Sequence, residues 1–469
     1  MSGTPLKQVH LAAHFPGVNN TTIWTDPDAG SQIDLASFRA FAETAERGRF
    51  DYLFLAEGLR LREHKGRIHE LDVVGRPNTL VILAALASLT EHIGLVGTLS
   101  STFNEPADLA RQLATLDHLS EGRAGWNVVT SSDAFHGQNF RRGGFLEYAE
   151  RYERAEEFVR LSKRLWDAWE ADAIAANPGR GEYLRPGGVS RINHVGKHFD
   201  VETIPNVPRS PQRYPVIVQA GDSPAGRDFA SANAEIIFSL HAAFEDGKRF
   251  YDDVKGRLPA AGRSRDSLLI MPAATFVIGD SEADARERSR EEALAQVSPQ
   301  TAIAMLEQVW GRDLSGVDPD GPLPDLEPGD ERIRAGQAND LSKQRAQISK
   351  FREIAERDSL TVRELMVKLN TRHTFVGTAS HIADEISRYV QGGASDGFVI
   401  VPSLIPNGLD RFVDGVIPEL QERGVYREEY APGATLRETL GLPAEPPSAD
   451  APSGQLLGAG GASAGVGGA

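Results

Sequence analysis

Polar side chains able to do chemistry gather where apolar runs of the chain stop. Glu57 closes YLFLAE (52–57); Thr98, with Ser100, Ser101 and Thr102 behind it, closes IGLVGTL (93–99). Asn127, Thr130 and Ser131 punctuate AGWNVVTS (124–131), and Gly221-Asp222-Ser223 follows VIVQAG (216–221). A carboxylate, hydroxyls and an amide brought together in this way can bind and orient a polar ligand. Taken singly, each is what any strand needs in order to leave a core, so their value lies in whether the fold makes them converge.

QAGDSPAG (219–226) carries the sharpest chemistry. A helix starting at Pro224 leaves free amides in its first turn, and these with the Ser223 hydroxyl make a phosphate site. Ser before Pro is also what an ordinary helix cap uses, and both uses can coexist. A nucleophile elbow needs G-x-S-x-G, and Gly221-Asp222-Ser223-Pro224-Ala225 supplies only the first glycine and the serine. Tyr148 and Tyr152, four apart at the start of a charged helix, share a face on which their hydroxyls suit a planar cofactor or its phosphate, or on which the rings simply pack. His10 and His14 flank the first apolar run, and His14, near its end, is placed to touch substrate. His194 and His198 lack the helix and carboxylate of an H-E-x-x-H zinc motif.

The elements that must position these residues are eight short apolar runs, at 9–15, 52–57, 93–99, 124–131, 216–221, 235–240, 268–279 and 397–402. Near-continuous apolar character marks strands buried on both faces, as in parallel sheets. Helical patterns alternate with them at 34–47, 105–119, 147–170, 225–234, 244–256, 281–296, 342–357, 379–392 and 409–422. Asn104 is a candidate cap for the second of these helices, with Pro106 tolerated in its first turn. Eight strands alternating with helices predict an α/β fold, a (β/α)8 TIM barrel, over 1–443; an open doubly wound sheet is the alternative. Two stretches, about 171–208 and 297–372, exceed the simple repeat and are expected as insertions walling an active site. The tail 444–469, AEPPSADAPSGQLLGAGGASAGVGGA, has too little to bury and is expected to be disordered.

Composition narrows the partners. Lys+Arg is 50 against 66 Asp+Glu, a formal net charge of −16, with no basic stripe for nucleic acid or an anionic membrane. The absence of cysteine excludes disulfides, thiolate nucleophiles and Cys-ligated zinc or iron–sulfur clusters, and fits a cytoplasmic location. No metal site, signal peptide or membrane span is expected. Arg180, Arg185 and Arg191 in the first insertion would suit an anionic substrate, or are solvated surface charges.

The strings RFDYLFLAE (49–57), EHIGLVGTLSSTFNEPADLARQLATLDHLSEGRAGWNVVTS (91–131), NFRRGGFLEYAERYERAEEF (139–158), HVGKHFDV (194–201) and SPQRYPVIVQAGDSPAGRDFA (210–230) resemble the bacterial luciferase-like flavin monooxygenases, in the nitrilotriacetate and dimethyl sulfide monooxygenase branch. The resemblance runs from about residue 8 to 440. It implies a luciferase-like TIM barrel that binds reduced FMN from a separate NAD(P)H:flavin reductase. With O2 the flavin forms a (hydro)peroxyflavin that oxygenates a small organic substrate, often breaking a C–N or C–S bond. A homodimer or homotetramer is implied as well. Carried over residue by residue, Glu57 stands where the family has an aspartate beside the flavin, and Thr98 and Ser101 lie near the isoalloxazine ring. Tyr148 and Tyr152 lie near the ribityl phosphate, and Ser223 on the phosphate itself. Asp222 departs from the usual small or polar neighbour, and a carboxylate beside a phosphate is unfavourable unless it points away. A deazaflavin-dependent oxidoreductase on the same barrel and a non-catalytic flavin-binding protein are the alternatives.

Overall fold

The computed structural model describes residues 6–19, 21–61, 63–68, 76–131, 137, 139–140, 148–329, 341–371, 373–444, 446 and 449. The glycine-rich end of the tail lies outside the described residues, as do the side chains of Tyr148, Ala149, Leu341 and Lys343.

Eight strands form the barrel: β1 (His10–Phe15), β2 (Tyr52–Leu55), β3 (Gly94–Ser100), β4 (Ala124–Val129), β5 (Val216–Gln219), β6 (Ile236–Ser239), β7 (Leu269–Ile278) and β8 (Gly397–Val401). Each pairs in parallel with the next, and β8 pairs back to β1, so the sheet closes. Closure rules out the open doubly wound sheet. Every expected strand is present, but Glu57, Thr130, Ser131 and Gly221 stand beyond their strands in the following loops. The third strand runs past Thr98 to Ser100.

Alternation of side chains explains the apolar runs. Ala12, Tyr52, Phe54, Val96, Val216, Val218, Ile236, Met271 and Val399 fill the barrel interior. Leu11, Ala13, Phe15, Leu53 and Leu55 point the other way, into the layer under the helices. Both faces are therefore apolar, as parallel strands covered by helices require. The covering helices are α1 (Leu35–Arg47), α2 (Thr79–Ala87), α3 (Pro106–Leu119), α4 (Tyr148–Trp166), α5 (Pro224–Asn233), α6 (Phe244–Arg257) and α7 (Glu282–Gln296). After α8 (Pro299–Trp310), α9 (Leu341–Asp358) and α10 (Val362–Asn370) come α11 (Ala379–Gln391) and α12 (Asp410–Glu422). The N-cap of α3 is Glu105, with Pro106 in the first turn; Asn104 instead donates its amide to the Ser100 carbonyl at 2.7 Å.

The end where strands begin is held by carboxylates. Asp51, Glu235 and Asp396 each precede a strand and accept the amide of the neighbouring strand: Leu11 at 2.7 Å, Ile217 at 2.7 Å and Ile270 at 2.9 Å. Each has a cation, Arg427 at 2.5 Å, Arg437 at 2.9 Å and Lys255 at 3.0 Å. Leu436, Leu440 and Leu442, from the last described segment, join the interior cluster and plug this end. The plug needs room: a Cβ on Gly94 would meet Leu436 Cδ1 at 2.5 Å.

Both long insertions carry helices or strands among their described residues. Residues 171–208 form two hairpins, Ile174–Asn177 with Glu182–Leu184 and Ile192–Val195 with Asp200–Thr203. Glu157 of α4 clips the second, accepting from His198 N at 3.0 Å, Phe199 N at 3.1 Å and the His194 ring at 2.9 Å. Arg180, Arg185 and Arg191 pair with Glu182, Asp172 and Glu202 on the exposed faces of these hairpins. Between 297 and 371, α8, α9 and α10 pack around Val297, Leu306, Trp310, Phe351 and Leu365 as a core of their own. Lys65, at the tip of the hairpin Glu63–His64 and Arg67–Ile68 after β2, bridges to Glu307 and Asp313 of this insertion.

Candidate active site

The strand ends opposite the plug carry the polar residues singled out above. The floor beneath them is aromatic. Phe54 of β2 and Phe238 of β6 stack with centroids 5.7 Å apart and planes 15° from parallel. His14, on β1, lies against Phe54 and bonds its Nδ1 to the Phe54 carbonyl at 3.1 Å. A carbonyl only accepts, so Nδ1 carries the proton and Nε2 keeps a lone pair. Burial and the Arg76 cation lower the His14 pKa to about 4 against the pull of that carbonyl. His14 is a neutral acceptor at the barrel floor.

The polar wall comes from β3 and β4. Their register sets Thr98 opposite Asn127, and the Asn127 amide donates to Thr98 Oγ1 at 2.9 Å. Asn127 Oδ1, Thr102 Oγ1 and, on β6, Ser239 Oγ are buried and meet no hydrogen-bond partner among the described residues. Buried oxygens of this kind cost roughly 1–3 kcal/mol each unless water or a ligand meets them. Ser100 and Ser131 share a hydroxyl–hydroxyl bond at 2.7 Å. Ser101 donates its hydroxyl to the Val129 carbonyl at 3.1 Å, tying β3 to β4, and its own carbonyl accepts from Arg154. Glu57 follows β2, where burial pushes its carboxyl up to about 7 although a hydrogen bond from the backbone at Ser100 pulls it down.

The third part lies where β5 meets α5. Ser223 caps the helix, accepting Gly226 N at 3.1 Å. Gly221 and Gly226 are pressed together: a Cβ on either would stand 2.7 Å from the other's Cα. The Gly226 Cβ would also meet the Tyr152 hydroxyl at 2.9 Å, so the buried phenol of α4 lies against the first turn of α5. Asp222 turns outward. Its Oδ1 accepts from His241 at 2.9 Å and from Arg227 at 3.0 Å. Burial opposes ionisation of Asp222, but these two partners outweigh it and hold the carboxyl below its ordinary range.

Residues 17–396 match the family model described as luciferase-like monooxygenase. The chain belongs to the luciferase-like monooxygenase family. It is 41% identical to N-acetyl-S-(2-succino)cysteine monooxygenase of Bacillus subtilis (strain 168), over 93% of this chain and 97% of that one. It is 39% identical to nitrilotriacetate monooxygenase component A of Aminobacter aminovorans, over 89% and 93%. A solved riboflavin lyase, with modified FMN and riboflavin, superposes with a TM-score of 0.77 at 29% identity, over 96% of this chain and 99% of that chain.

In this luciferase-like chain the fold brings Thr98, Ser101 and Glu57 to the end of the barrel that carries His14, and sets Tyr152 against the helix that Ser223 caps. Tyr148 begins α4, but its side chain lies outside the described residues. Sequence reasoning passed over the partnership of Asp222 with Arg227 and His241, and the orphaned Ser239. His241 stands two residues after Ser239, and the sixth strand's end was open to the same scan that found Ser223. Among the described residues no group of three or more His, Cys, Asp or Glu could hold a metal ion, and no helix is long and apolar enough to cross a membrane.

Proposed function

We propose that this chain is the oxygenase component of a two-component monooxygenase, binding FMN reduced by a separate NAD(P)H:flavin reductase and acting on a small organic substrate. When bound, reduced FMN supplies two electrons to O2, so that one oxygen atom enters the substrate, breaking a C–N or C–S bond, and the other leaves as water. The observation that carries this reading is the pressing of Gly221 on Gly226 against the Tyr152 hydroxyl. It sets the first turn of α5, whose Gly226 amide Ser223 Oγ already caps, beside a phenol and the Ser223 hydroxyl, polar groups suited to a phosphate monoester. Support also comes from the FMN in the riboflavin lyase structure and from the designation of the Aminobacter relative as component A.

The rest of the mouth fits a flavin ring. Asn127 and Thr98 present a polar edge with an unmet oxygen, and the Phe54–Phe238 stack makes a flat apolar floor. Ser101 holds the wall from behind, through Val129. Glu57 holds or releases a proton near neutrality, and His14 offers Nε2 to a donor on the substrate. Tyr148 belongs to the same set through its place at the start of α4.

Anaerobic stopped flow tests this. Protein loaded with reduced FMN is mixed with oxygenated buffer, and flavin absorbance is followed. The expected result is oxidation of bound flavin in phases distinct from, and slower than, that of free flavin. Oxidation at the free-flavin rate despite demonstrated loading, or tighter binding of a deazaflavin than of FMN, would overturn it.

A further inference from the structure

We propose that Arg227 and His241 are positioning residues for the flavin phosphate, acting through Asp222; this rests on the phosphate assignment above. Asp222 directly precedes the capping Ser223, so its charge sits at the mouth of a site meant for a dianion. Like charges at such range repel strongly where water is partly excluded. The structure deals with that carboxylate by geometry. Arg227 lies one turn into α5, its amide bonded to the Ser223 carbonyl at 2.9 Å, and its side chain reaches back. Nε donates to the Asp222 carbonyl at 2.9 Å and Nη2 to the Asp222 carboxylate at 3.0 Å. One guanidinium therefore pins both the main chain and the side chain of the residue before the cap. His241 donates to the same Oδ1 from the loop after β6.

Both partners are fixed in turn by α6. The Phe250 ring stacks on His241 at 4.6 Å and lies 4.8 Å from the Arg227 guanidinium. Arg227 Nη1 donates to Asp253 at 2.8 Å, and Asp253 is shared with Arg257 at 3.0 Å. A planar donor fork held on three sides is preorganised, and its work is to keep Asp222 turned outward and counterbalanced. Removing the fork should free the carboxylate to face the phosphate. Removing the carboxylate as well should undo that harm.

The test is a double-mutant cycle read by equilibrium binding of oxidised FMN and of riboflavin, which lacks the phosphate. In Arg227→Met, FMN affinity is expected to fall about tenfold while riboflavin affinity stays within about twofold. In Asp222→Asn with Arg227→Met, most of the lost FMN affinity is expected to return. Asp222→Asn alone should bind FMN at least as tightly as the parent. Equal losses for FMN and riboflavin would mean a merely structural Arg227 and would overturn the inference, as would a double variant no better than Arg227→Met or an Arg227→Met indifferent to FMN. A parent protein that does not prefer FMN to riboflavin would overturn the phosphate assignment itself, and this inference with it.

Discussion

The two ends of the barrel use the same strands and bury different kinds of polar group. Where strands begin, Asp51, Glu235 and Asp396 each accept a neighbouring strand's amide and each face a cation. Arg123, buried beside them, donates to the carbonyls of Ala87, Thr90, Ile93 and Ser120. Where strands end, oxygens of Asn127, Thr102 and Ser239 are left unmet, and half-buried Glu57 and buried His14 have pKa values pushed toward their neutral forms. The first end couples buried charges to strand amides, although Arg427 Nη1, Arg437 Nε and Ser395 Oγ meet no partner among the described residues; the second buries neutral oxygens and a neutral imidazole.

The largest effect should come from breaking the closed end. Arg437 and Glu235 are both almost fully buried, and Arg437 N also reaches Gln212 at 3.0 Å. Arg437→Met leaves Glu235 without its partner, a change that typically costs 3–5 kcal/mol; Lys163 and Arg263 nearby bring the expectation to about 3 kcal/mol. Urea unfolding measures it. The folded fraction should bind FMN within about twofold of the parent, because the change is remote from the mouth. A comparable loss of FMN affinity would break the contrast between the two ends.

Sequence patterns revealed the two ends unequally. The eight strands were legible because burial on both faces leaves apolar runs such as IGLVGTL. α2 was not, because TLVILAALA is apolar on every side and has no helical period to read. α8 and α10 carried readable signals, Ser298 before Pro299 and the capping box of Thr361 with Glu364, inside a stretch read as an insertion with a single helix at 342–357. At the mouth, Ser223 was legible as a cap because Ser before Pro is a local pattern. The pairing of Asp222 with His241, nineteen residues on, and of Glu235 with Arg437 depends on the closed barrel, and no local spacing encodes it.

An effect of similar size should distinguish the ends by pH. Burial lets folded Glu57 keep its proton up to about 7, whereas the unfolded chain releases it near 4.5. Between those values the folded state binds more protons, so stability falls as pH rises through the window and is level above it. The whole fall is roughly 3 kcal/mol, and Glu57→Gln should remove it and gain stability at pH 8 relative to the parent. Asp51 has the opposite slope: burial resists its ionisation, but Arg427 and His10 prevail and lower its pKa, so its contribution is present above about 3.8 and lost as pH falls below that. Unfolding free energies of Glu57→Gln and Asp51→Asn across pH 3–8 check both signs. A Glu57→Gln curve parallel to the parent between pH 4.5 and 7 would show that the mouth does not hold this carboxyl in its neutral form.

The smallest effect tests whether Ser223 serves both purposes. Ser223 Oγ accepts Gly226 N as a cap, so Ser223→Ala should cost α5 about 1 kcal/mol of stability. If its hydroxyl also donates to the flavin phosphate, FMN affinity should drop by a further 1 kcal/mol or so, about fivefold, while riboflavin affinity is unchanged. Ser223→Asp separates the two roles: it restores the cap and sets a negative charge where the phosphate would lie. Stability should return while FMN binding falls below that of Ser223→Ala. If Ser223→Asp binds FMN as well as the parent does, Ser223 is only a cap, and the phosphate must be held elsewhere on the open end.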